Sequence, residues 1–162
     1  CIILGSGGAA RSAVQGLIDL KLSDIHVISR NESNLNNFLN DFRNLRNVRG
    51  CLASNKETKD LINQADLIIN TTPIGMKNFN TDSDELPFGQ NLWDSLNSNT
   101  VVYDLIYNPR LTKLLKLADN KGCQIIDGLE MLVSQGAKSL SYWTNIKDIP
   151  TEIMKRSIIK YL

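Results

Sequence analysis

Short runs of apolar and β-branched residues recur along the chain, and segments with helical periodicity lie between most of them. The runs that predict strands are residues 1–4, 25–29, 48–52, 67–70, 101–104 and 124–126. Most of these runs are continuously apolar, which is typical of strands buried on both faces. Because strands that alternate with helices are joined by right-handed crossovers, the pattern predicts a doubly wound α/β fold, with three layers and a mostly parallel sheet of about six strands.

Helical periodicity is clearest after the first predicted strand. Apolar residues recur at three- and four-residue spacing over positions 9–20. Positions 111–118 repeat this spacing and are followed by Gly122, a suitable residue for the end of a helix. The last third of the chain shows no further strand pattern, and two helices are predicted there, over 128–143 and 150–161.

One segment departs from the alternating pattern. Residues 77–99 are rich in Asn, Asp and Ser and have few periodic apolar positions. We expect a long surface loop over this segment, with one short helical turn at residues 92–96.

The composition restricts what the chain can bind. Its 162 residues, 42% of them hydrophobic, are enough for one domain with a sizeable core. The 18 basic and 17 acidic side chains nearly cancel, so there is no electrostatic footprint for nucleic acid or for an anionic membrane. No segment approaches the roughly 18 consecutive apolar residues of a membrane-spanning helix, and none resembles a secretory leader. We therefore expect a cytoplasmic protein.

The cysteines and the single histidine do not suggest a metal or redox site. The three cysteines are far apart in the sequence, and two of them stand beside apolar runs. This is typical of small core residues in a reducing compartment. His26 lies within a predicted strand, where a structural role is a simpler interpretation than a ligand or a base. We predict no metal site.

A glycine-rich turn joins the first predicted strand to the first predicted helix. The residues Gly-Ser-Gly-Gly-Ala-Ala at positions 5–10 fit the pattern G-x-G-x-x-A. In this pattern Gly5 permits the tight turn, Gly7 lets the backbone approach a pyrophosphate, and Ala10 allows the helix to pack close to the strand. In this strand–turn–helix context the motif predicts dinucleotide binding, the alternative being a flexible turn.

The end of the second predicted strand indicates which dinucleotide is bound. An NAD-binding domain places Asp or Glu there, whereas this chain has Ser29, Arg30 and Asn31. Asp24 precedes the strand and therefore lies at the wrong end of the sheet. With no carboxylate to repel a phosphate and an arginine able to pair with one, NADP is favoured. The alternative for Arg30 is a surface arginine at the start of a helix.

Polar residues also follow three later predicted strands. Asn70, Thr71 and Thr72 lie at the carboxyl end of the fourth strand, where they can line a cofactor groove. Tyr107 lies just beyond the fifth strand and either meets a ligand or packs as a half-buried tyrosine. Gly128 can place its backbone against a ligand, and Gln135 lies two turns further along the predicted helix.

Five motifs together resemble the shikimate dehydrogenase family in order and approximate spacing. They are GSGGA at 5–9, SRN at 29–31, NTTPIGM at 70–76, YDLIYNP at 103–109 and DGLEMLVSQ at 127–135. The resemblance covers essentially the whole chain. It implies an NADP-binding Rossmann domain over residues 1–162. It also implies NADP-dependent interconversion of 3-dehydroshikimate and shikimate, a step of the shikimate pathway of aromatic amino-acid biosynthesis.

Carried over position by position, the resemblance implies roles for individual residues. Those on the cofactor would be Gly5, Ser6, Gly7, Gly8, Ala9, Ser29, Arg30, Asn31, Thr71, Leu105, Gly128 and Met131. Tyr107 and Gln135 match positions that touch the substrate. Two positions depart from the family: Asn34 stands where many members have a second basic residue, and Ser29 stands where Asn is commoner.

The resemblance further implies a half that this chain lacks. In the family, the lysine and aspartate that handle the proton belong to an N-terminal α/β domain, which also holds most of the substrate. We therefore name no catalytic residue and expect the isolated chain to bind NADP with negligible turnover. The apolar residues of the last two predicted helices either complete this domain's own core or pack in part on the N-terminal domain. An oligomer is compatible with the sequence.

Two other functions are compatible with the same fold. A related oxidoreductase domain, such as that of a quinate/shikimate dehydrogenase or a glutamyl-tRNA reductase, would act on another substrate. A non-catalytic module would use the fold to bind a nucleotide or a partner. Tyr107 and Gln135 favour the shikimate group, and the intact glycine turn counts against a module that has lost nucleotide binding.

Overall fold

Strands and helices alternate along nearly the whole chain in the computed structural model, which describes residues 1–22, 24–45, 47–77 and 85–162. The strands are β1 Ile2–Leu4, β2 Ile25–Ser29, β3 Val48–Leu52, β4 Leu67–Asn70, β5 Val101–Asp104 and β6 Gln124–Ile126. The helices are α1 Gly8–Asp19, α2 Glu32–Asp41, α3 Thr58–Gln64, α4 Gln90–Trp93, α5 Lys113–Asn120, α6 Leu129–Thr144 and α7 Thr151–Ile159. All six predicted strands are present at nearly the predicted positions.

The strands form one parallel sheet in the order β3-β2-β1-β4-β5-β6. The chain builds outward from β1 to β3, returns to the other side of β1 at β4, and then builds outward to β6. Leu4 at the end of β1 pairs with Ile28 on one side and with Asn70 on the other. The predicted doubly wound fold is therefore confirmed, and its switch point lies between the carboxyl ends of β1 and β4, where such sheets bind ligands.

Apolar residues of the central strands pack on both faces of the sheet. Successive side chains of a strand point to opposite faces. Ile2 and Leu4 accordingly belong to the core on one side, together with α3, α4 and α5. Ile3 belongs to the core on the other side, against α1 and α2. This two-sided burial explains why the strands are continuously apolar in sequence.

Helix α5 begins later than the periodicity predicted. Thr112 is its N-cap, and the Thr112 hydroxyl accepts a hydrogen bond from the Leu115 amide at 3.2 Å. Leu111 therefore lies outside the helix and is exposed. Gly122 follows the helix with a φ of +84°, in agreement with its predicted role at the helix end.

The predicted surface loop over 77–99 is wrong for much of the described part of that segment. Helix α4 ends at Trp93 rather than spanning 92–96, and the Trp93 side chain is completely buried. Its indole N–H donates to the Pro87 carbonyl at 2.9 Å. Leu86, Leu92 and Leu96 are also buried in the core. A four-residue helix is too short to produce a periodic apolar stripe, so the sequence pattern could not reveal this burial. Residues 78–84 lie outside the described residues.

The two predicted C-terminal helices are present as α6 and α7. Only the first half of α6 enters the core, through Leu129, Val133 and Ala137, and α7 has no buried residue. Trp143 near the end of α6 is 79% exposed, and Ile153 of α7 is 65% exposed. The interpretation that these helices complete the domain's own core therefore holds only for the start of α6. Among the described residues, no helix combines the length and apolarity needed to cross a bilayer.

Candidate functional site

The glycine turn lies at the carboxyl end of β1, directly at the switch point. Gly5 has a φ of +102°, and a Cβ atom at this position would lie 2.9 Å from Thr71 Oγ1, so both backbone conformation and crowding require glycine. A Cβ atom at Gly7 or Gly8 would meet no atom within 4 Å. The turn thus faces open space. Gly7 is the N-cap of α1 and provides no side-chain cap, so the first amides of the helix are available to a ligand.

Arg11, near the start of α1, supports the glycine turn from the side that faces α2. Its guanidinium donates to the carbonyl oxygens of Ser6 and Gly7, at 3.0 and 3.3 Å. It also pairs with Asp41 at 2.7 Å and lies over the Phe38 ring, 5.1 Å from the centroid. Sequence reasoning missed this residue. The arginine is visible one turn into α1, but its partners on α2 are about 30 positions away.

Ser29, Arg30 and Asn31 approach the glycine turn from the end of β2. The hydroxyl groups of Ser29 and Ser6 lie 3.1 Å apart, and Ser29 Oγ also accepts from the Asn31 amide at 3.3 Å. The Asn31 side chain caps α2 by accepting from the Asn34 amide at 2.9 Å. Arg30 is exposed and makes no hydrogen bond or ion pair with another residue that the structure describes.

These residues surround a cavity of about 270 Å³, which we call the outer cavity. Its lining consists of Gly5, Ser6, Gly7, Ser29, Arg30, Asn31, Asn34, Thr71, Thr72, Pro73 and Phe88. None of these described lining residues is a carboxylate. Asp24 lies at the opposite edge of the sheet, where its backbone carbonyl accepts from the Cys1 amino group and its carboxylate lies 3.2 Å from His26 Nε2. As predicted, Asp24 therefore lies at the end of the sheet away from the glycine turn, and the residues after β2 lie beside that turn.

A second cavity of about 540 Å³, the inner cavity, continues from the outer one past Thr71, Thr72 and Pro73, which line both. Its lining consists of Ala9, Ser12, Ala13, Ile69, Thr71, Thr72, Pro73, Met76, Tyr103, Leu105, Ile106, Tyr107, Met131 and Gln135. Most of these side chains are apolar. The structure thus brings the segments after β1, β4 and β5 together with the first turns of α6.

A buried polar cluster lies beneath the loops between these cavities. Asp104 is completely buried and accepts hydrogen bonds from Asn70 Nδ2, Thr112 Oγ1 and the Ile106 amide, at 3.0, 2.8 and 3.1 Å. Burial raises the pKa of Asp104 to about 6, although these three hydrogen bonds act in the opposite direction. Asn70 is also completely buried, so it supports the groove from below instead of lining it.

Comparison with known proteins identifies the relatives of this chain. The family model for the C-terminal domain of shikimate 5'-dehydrogenase matches residues 128–159. A shikimate dehydrogenase (NADP(+)) from Prochlorococcus marinus subsp. pastoris is 58% identical over 161 residues, which are 99% of this chain and 56% of that protein. The chain belongs to the shikimate dehydrogenase family. It spans about half the length of the curated relatives it matches.

Solved structures of shikimate dehydrogenases have the same fold. The enzyme from Listeria monocytogenes, in complex with shikimate and NAD, is 27% identical with a TM-score of 0.80, over 97% of this chain and 54% of that one. A shikimate dehydrogenase in complex with NADP+ is 32% identical with a TM-score of 0.75, over 99% of this chain and 53% of that one. Both alignments cover nearly the whole of this chain.

Most positions that the shikimate dehydrogenase resemblance points to lie around the two cavities. Leu105, Tyr107, Met131 and Gln135 line the inner cavity together with Thr71 and Ala9. Gly8 lines neither cavity. It is the first residue of α1 and is exposed.

Gly128 has a packing role that the sequence did not indicate. Its amide donates to the Ile106 carbonyl at 3.0 Å, and a Cβ atom at this position would lie 2.1 Å from the Leu105 carbonyl oxygen. The start of α6 therefore lies directly against the segment after β5. Glycine is required at position 128 by this close approach to protein backbone.

No group of three or more His, Cys, Asp or Glu side chains in the described part of the chain is arranged to hold a metal ion. Cys51 and Cys123 are buried and Cys1 is partly buried, each with a free thiol.

Proposed function

We propose that this chain binds NADP(H) across the outer and inner cavities and positions it for hydride transfer between shikimate and 3-dehydroshikimate. The observation that carries this proposal is the convergence of the glycine turn with Ser29, Arg30 and Asn31 around the outer cavity, which has no carboxylate among its described lining residues. Three curated relatives that are 54–58% identical to this chain are each named shikimate dehydrogenase (NADP(+)), which supports the same assignment.

The pyrophosphate would lie on the glycine turn. Gly7 and Gly8 leave space above the backbone, and the first amides of α1 supply donors and the positive end of the helix dipole. Arg11 engages the carbonyl oxygens of Ser6 and Gly7 on the other side. Because those carbonyls are occupied, they would not turn toward the phosphates and repel them.

The adenosine 2'-phosphate would lie at the start of α2. Arg30 can pair with the phosphate or lie on the adenine face, and Ser29 and Asn31 offer neutral hydrogen-bonding groups. Helix α2 begins immediately after Asn31, so its dipole also favours an anion there. Asn34 lines this cavity where many family members place a second cation, so the preference for NADP over NAD would rest mainly on Arg30.

The inner cavity would hold the nicotinamide end and one face of the substrate. The bound cofactor supplies the hydride donor or acceptor, and the apolar side chains of Leu105 and Met131 would orient the nicotinamide ring and exclude water from it. Tyr107 and Gln135 offer polar groups to the substrate. Burial, and to a smaller degree the Asp127 carboxylate, raise the pKa of Tyr103, so this phenol stays protonated at neutral pH.

The proton transfer would require groups from outside this chain. We infer that they come from the N-terminal domain that the family resemblance implies. Among the described residues that line the inner cavity, none has a titratable group with a partner suited to general acid–base catalysis. The isolated chain would then bind the cofactor without catalysing turnover.

Two measurements on the 162-residue chain test this proposal. Calorimetric titration is expected to show saturable binding of NADP+, tighter than that of NAD+. Shikimate-dependent reduction of NADP+ is expected to be negligible. A folded chain that binds neither dinucleotide would contradict the binding function, whereas clear turnover would show that the acid–base groups lie within this chain.

A further inference from the structure

We propose that Asp104, through its hydrogen bonds to Asn70 and to the Ile106 amide, is a positioning residue that sets the segment after β5 against the nicotinamide end of the cofactor. The inference rests on the proposed function. It assigns to a buried cluster, which touches neither cavity, a role in binding one part of the dinucleotide.

The cluster lies where two strands flank the inner cavity. Asn70 and Asp104 are the last residues of β4 and β5 and pair directly in the sheet register. Asn70 Nδ2 donates to Asp104 Oδ1 at 3.0 Å, and both side chains are completely buried. The pair therefore links the carboxyl ends of two neighbouring strands, just before the chain enters the loops of the site.

Asp104 determines the path of the chain after β5. Its Oδ1 atom also accepts from the Ile106 amide at 3.1 Å, and its Oδ2 atom accepts from the Thr112 hydroxyl at 2.8 Å. Residues 105–107, which directly follow Asp104, all line the inner cavity. One carboxylate thus holds both the start of this loop and the N-cap of α5, at which the loop ends.

Asn70 does the same for the loop after β4. Its Oδ1 atom accepts from the Thr72 amide at 3.0 Å and from the Thr72 hydroxyl at 2.7 Å. Thr72 lines both cavities. Since Asn70 also donates to Asp104, the loops after β4 and β5 are held relative to each other by one continuous set of hydrogen bonds.

The partners of Asp104 show that it is used as an acceptor. The side-chain amide of Asn70, the backbone N–H of Ile106 and the Thr112 hydroxyl all donate to it. The Thr112 oxygen in turn accepts a hydrogen bond from the Leu115 amide. A buried carboxylate is costly to desolvate, and packing alone would be served as well by an apolar residue. A triple acceptor at this point is what orientation of two loops requires.

The test compares ligands that reach different parts of the cleft. NADP+ would occupy both cavities, whereas adenosine 2',5'-bisphosphate would occupy only the outer cavity. Asp104→Ala is expected to raise the Kd for NADP+ about tenfold, the effect of losing one or two hydrogen bonds, and to change that for the bisphosphate less than about twofold. Asp104→Asn retains an oxygen for Asn70 and Ile106 and is expected to restore most of the NADP+ affinity.

Thr100→Val is the matched control, at the residue immediately before the amino end of β5. The buried Thr100 hydroxyl donates to the Ala65 carbonyl at 2.8 Å, so its loss destabilises the fold without touching the cleft. It is expected to leave both affinities unchanged. If Asp104→Ala weakens both ligands equally, or neither, the positioning role is overturned.

Hydrogen exchange separates this inference from the proposed function. In the ligand-free chain, Asp104→Ala is expected to accelerate exchange of the Ile106 amide, and Thr100→Val is not. A folded wild type that fails to bind NADP+ would contradict the proposed function, and unchanged exchange at Ile106 would contradict the positioning role.

A milder pair of variants applies if Asp104→Ala does not fold. Thr112→Val removes the hydroxyl group that donates a hydrogen bond to Asp104, and Thr112→Ser retains it. The valine variant is expected to weaken NADP+ about threefold without affecting the bisphosphate, and the serine variant to bind both as the wild type does. Equal affinity of the two variants for NADP+ would overturn the inference.

Discussion

Arg30 is the residue on which cofactor choice depends most directly. We expect Arg30→Ala to raise the Kd for NADP+ ten- to a hundredfold, because a charge-assisted contact to the 2'-phosphate is lost, and to change that for NAD+ less than threefold. Arg49→Ala is the control, since Arg49 lies beside Asp24 at the opposite edge of the sheet. Titration with both nucleotides measures the effect. Equal losses for NADP+ and NAD+ would contradict the assignment.

Arg11 acts on the part of the site that both dinucleotides share. We expect Arg11→Met, which keeps an apolar stem over Phe38 but removes the donors to Ser6 and Gly7, to weaken NADP+ and NAD+ by a similar factor of about ten. The same titrations measure this, with Arg11→Lys as the conservative variant. A selective loss of NADP+ alone would show that Arg11 contacts the 2'-phosphate instead of supporting the turn.

The buried Asp104 carboxyl also makes stability depend on pH. Its pKa is raised from 3.8 to about 6 in the folded chain, so between these values the folded state binds more protons than the unfolded state. The contribution of Asp104 to the free energy of unfolding therefore falls as pH rises from about 4 to about 6 and is constant above that. We expect urea unfolding to show this fall in the difference between the free energies of unfolding of the wild type and of Asp104→Asn. A difference that is independent of pH would contradict the raised pKa.

At the scale of elements, close contact between α6 and the segment after β5 depends on one glycine. Gly128→Ala would place a Cβ atom 2.1 Å from the Leu105 carbonyl oxygen, and we expect a loss of about 3 kcal/mol or more in the free energy of unfolding. Gly16→Ala is the matched control. A Cβ atom there meets nothing within 4 Å in the middle of α1, so it is expected to stabilise by about 0.5–1 kcal/mol. Denaturant unfolding measures both, and a neutral Gly128→Ala would contradict the close approach.

At the scale of the whole molecule, helices α6 and α7 present an apolar surface that includes large exposed side chains. We predict that it packs on the N-terminal domain of a longer protein and that the isolated chain binds a hydrophobic dye or self-associates. Replacing Trp143 by Arg and Ile153 by Lys is expected to reduce dye fluorescence severalfold with little change in Tm. Leu20→Lys, at an exposed site beyond α1, is the control. A monomeric wild type without dye binding would contradict the prediction.

Much of the fold follows from local features of the sequence. The runs 25–29, 67–70 and 101–104 are strands at the predicted residues, because a strand buried on both faces must be continuously apolar. Alternation with helices then determines a parallel, doubly wound sheet, since crossovers are right-handed. Gly5 could be recognised because a tight turn between strand and helix needs a positive φ. The placement of Asp24 away from the site and of Arg30 beside it could likewise be predicted from the direction of one strand, β2.

Other features were decided only by the tertiary structure, because they depend on partners far apart in sequence. Trp93 is buried although its helix is too short to show periodicity. Asn70 and Asp104, 34 positions apart, meet only because β4 and β5 are neighbours in the sheet. Arg11 gains its role from residues on α2, and Gly128 from backbone more than twenty positions earlier. The sequence by itself therefore determined the sheet, the turn and the edge that carries the site, because those depend on local periodicity and backbone geometry. Only the folded chain decided which buried groups hold the loops of that site in place.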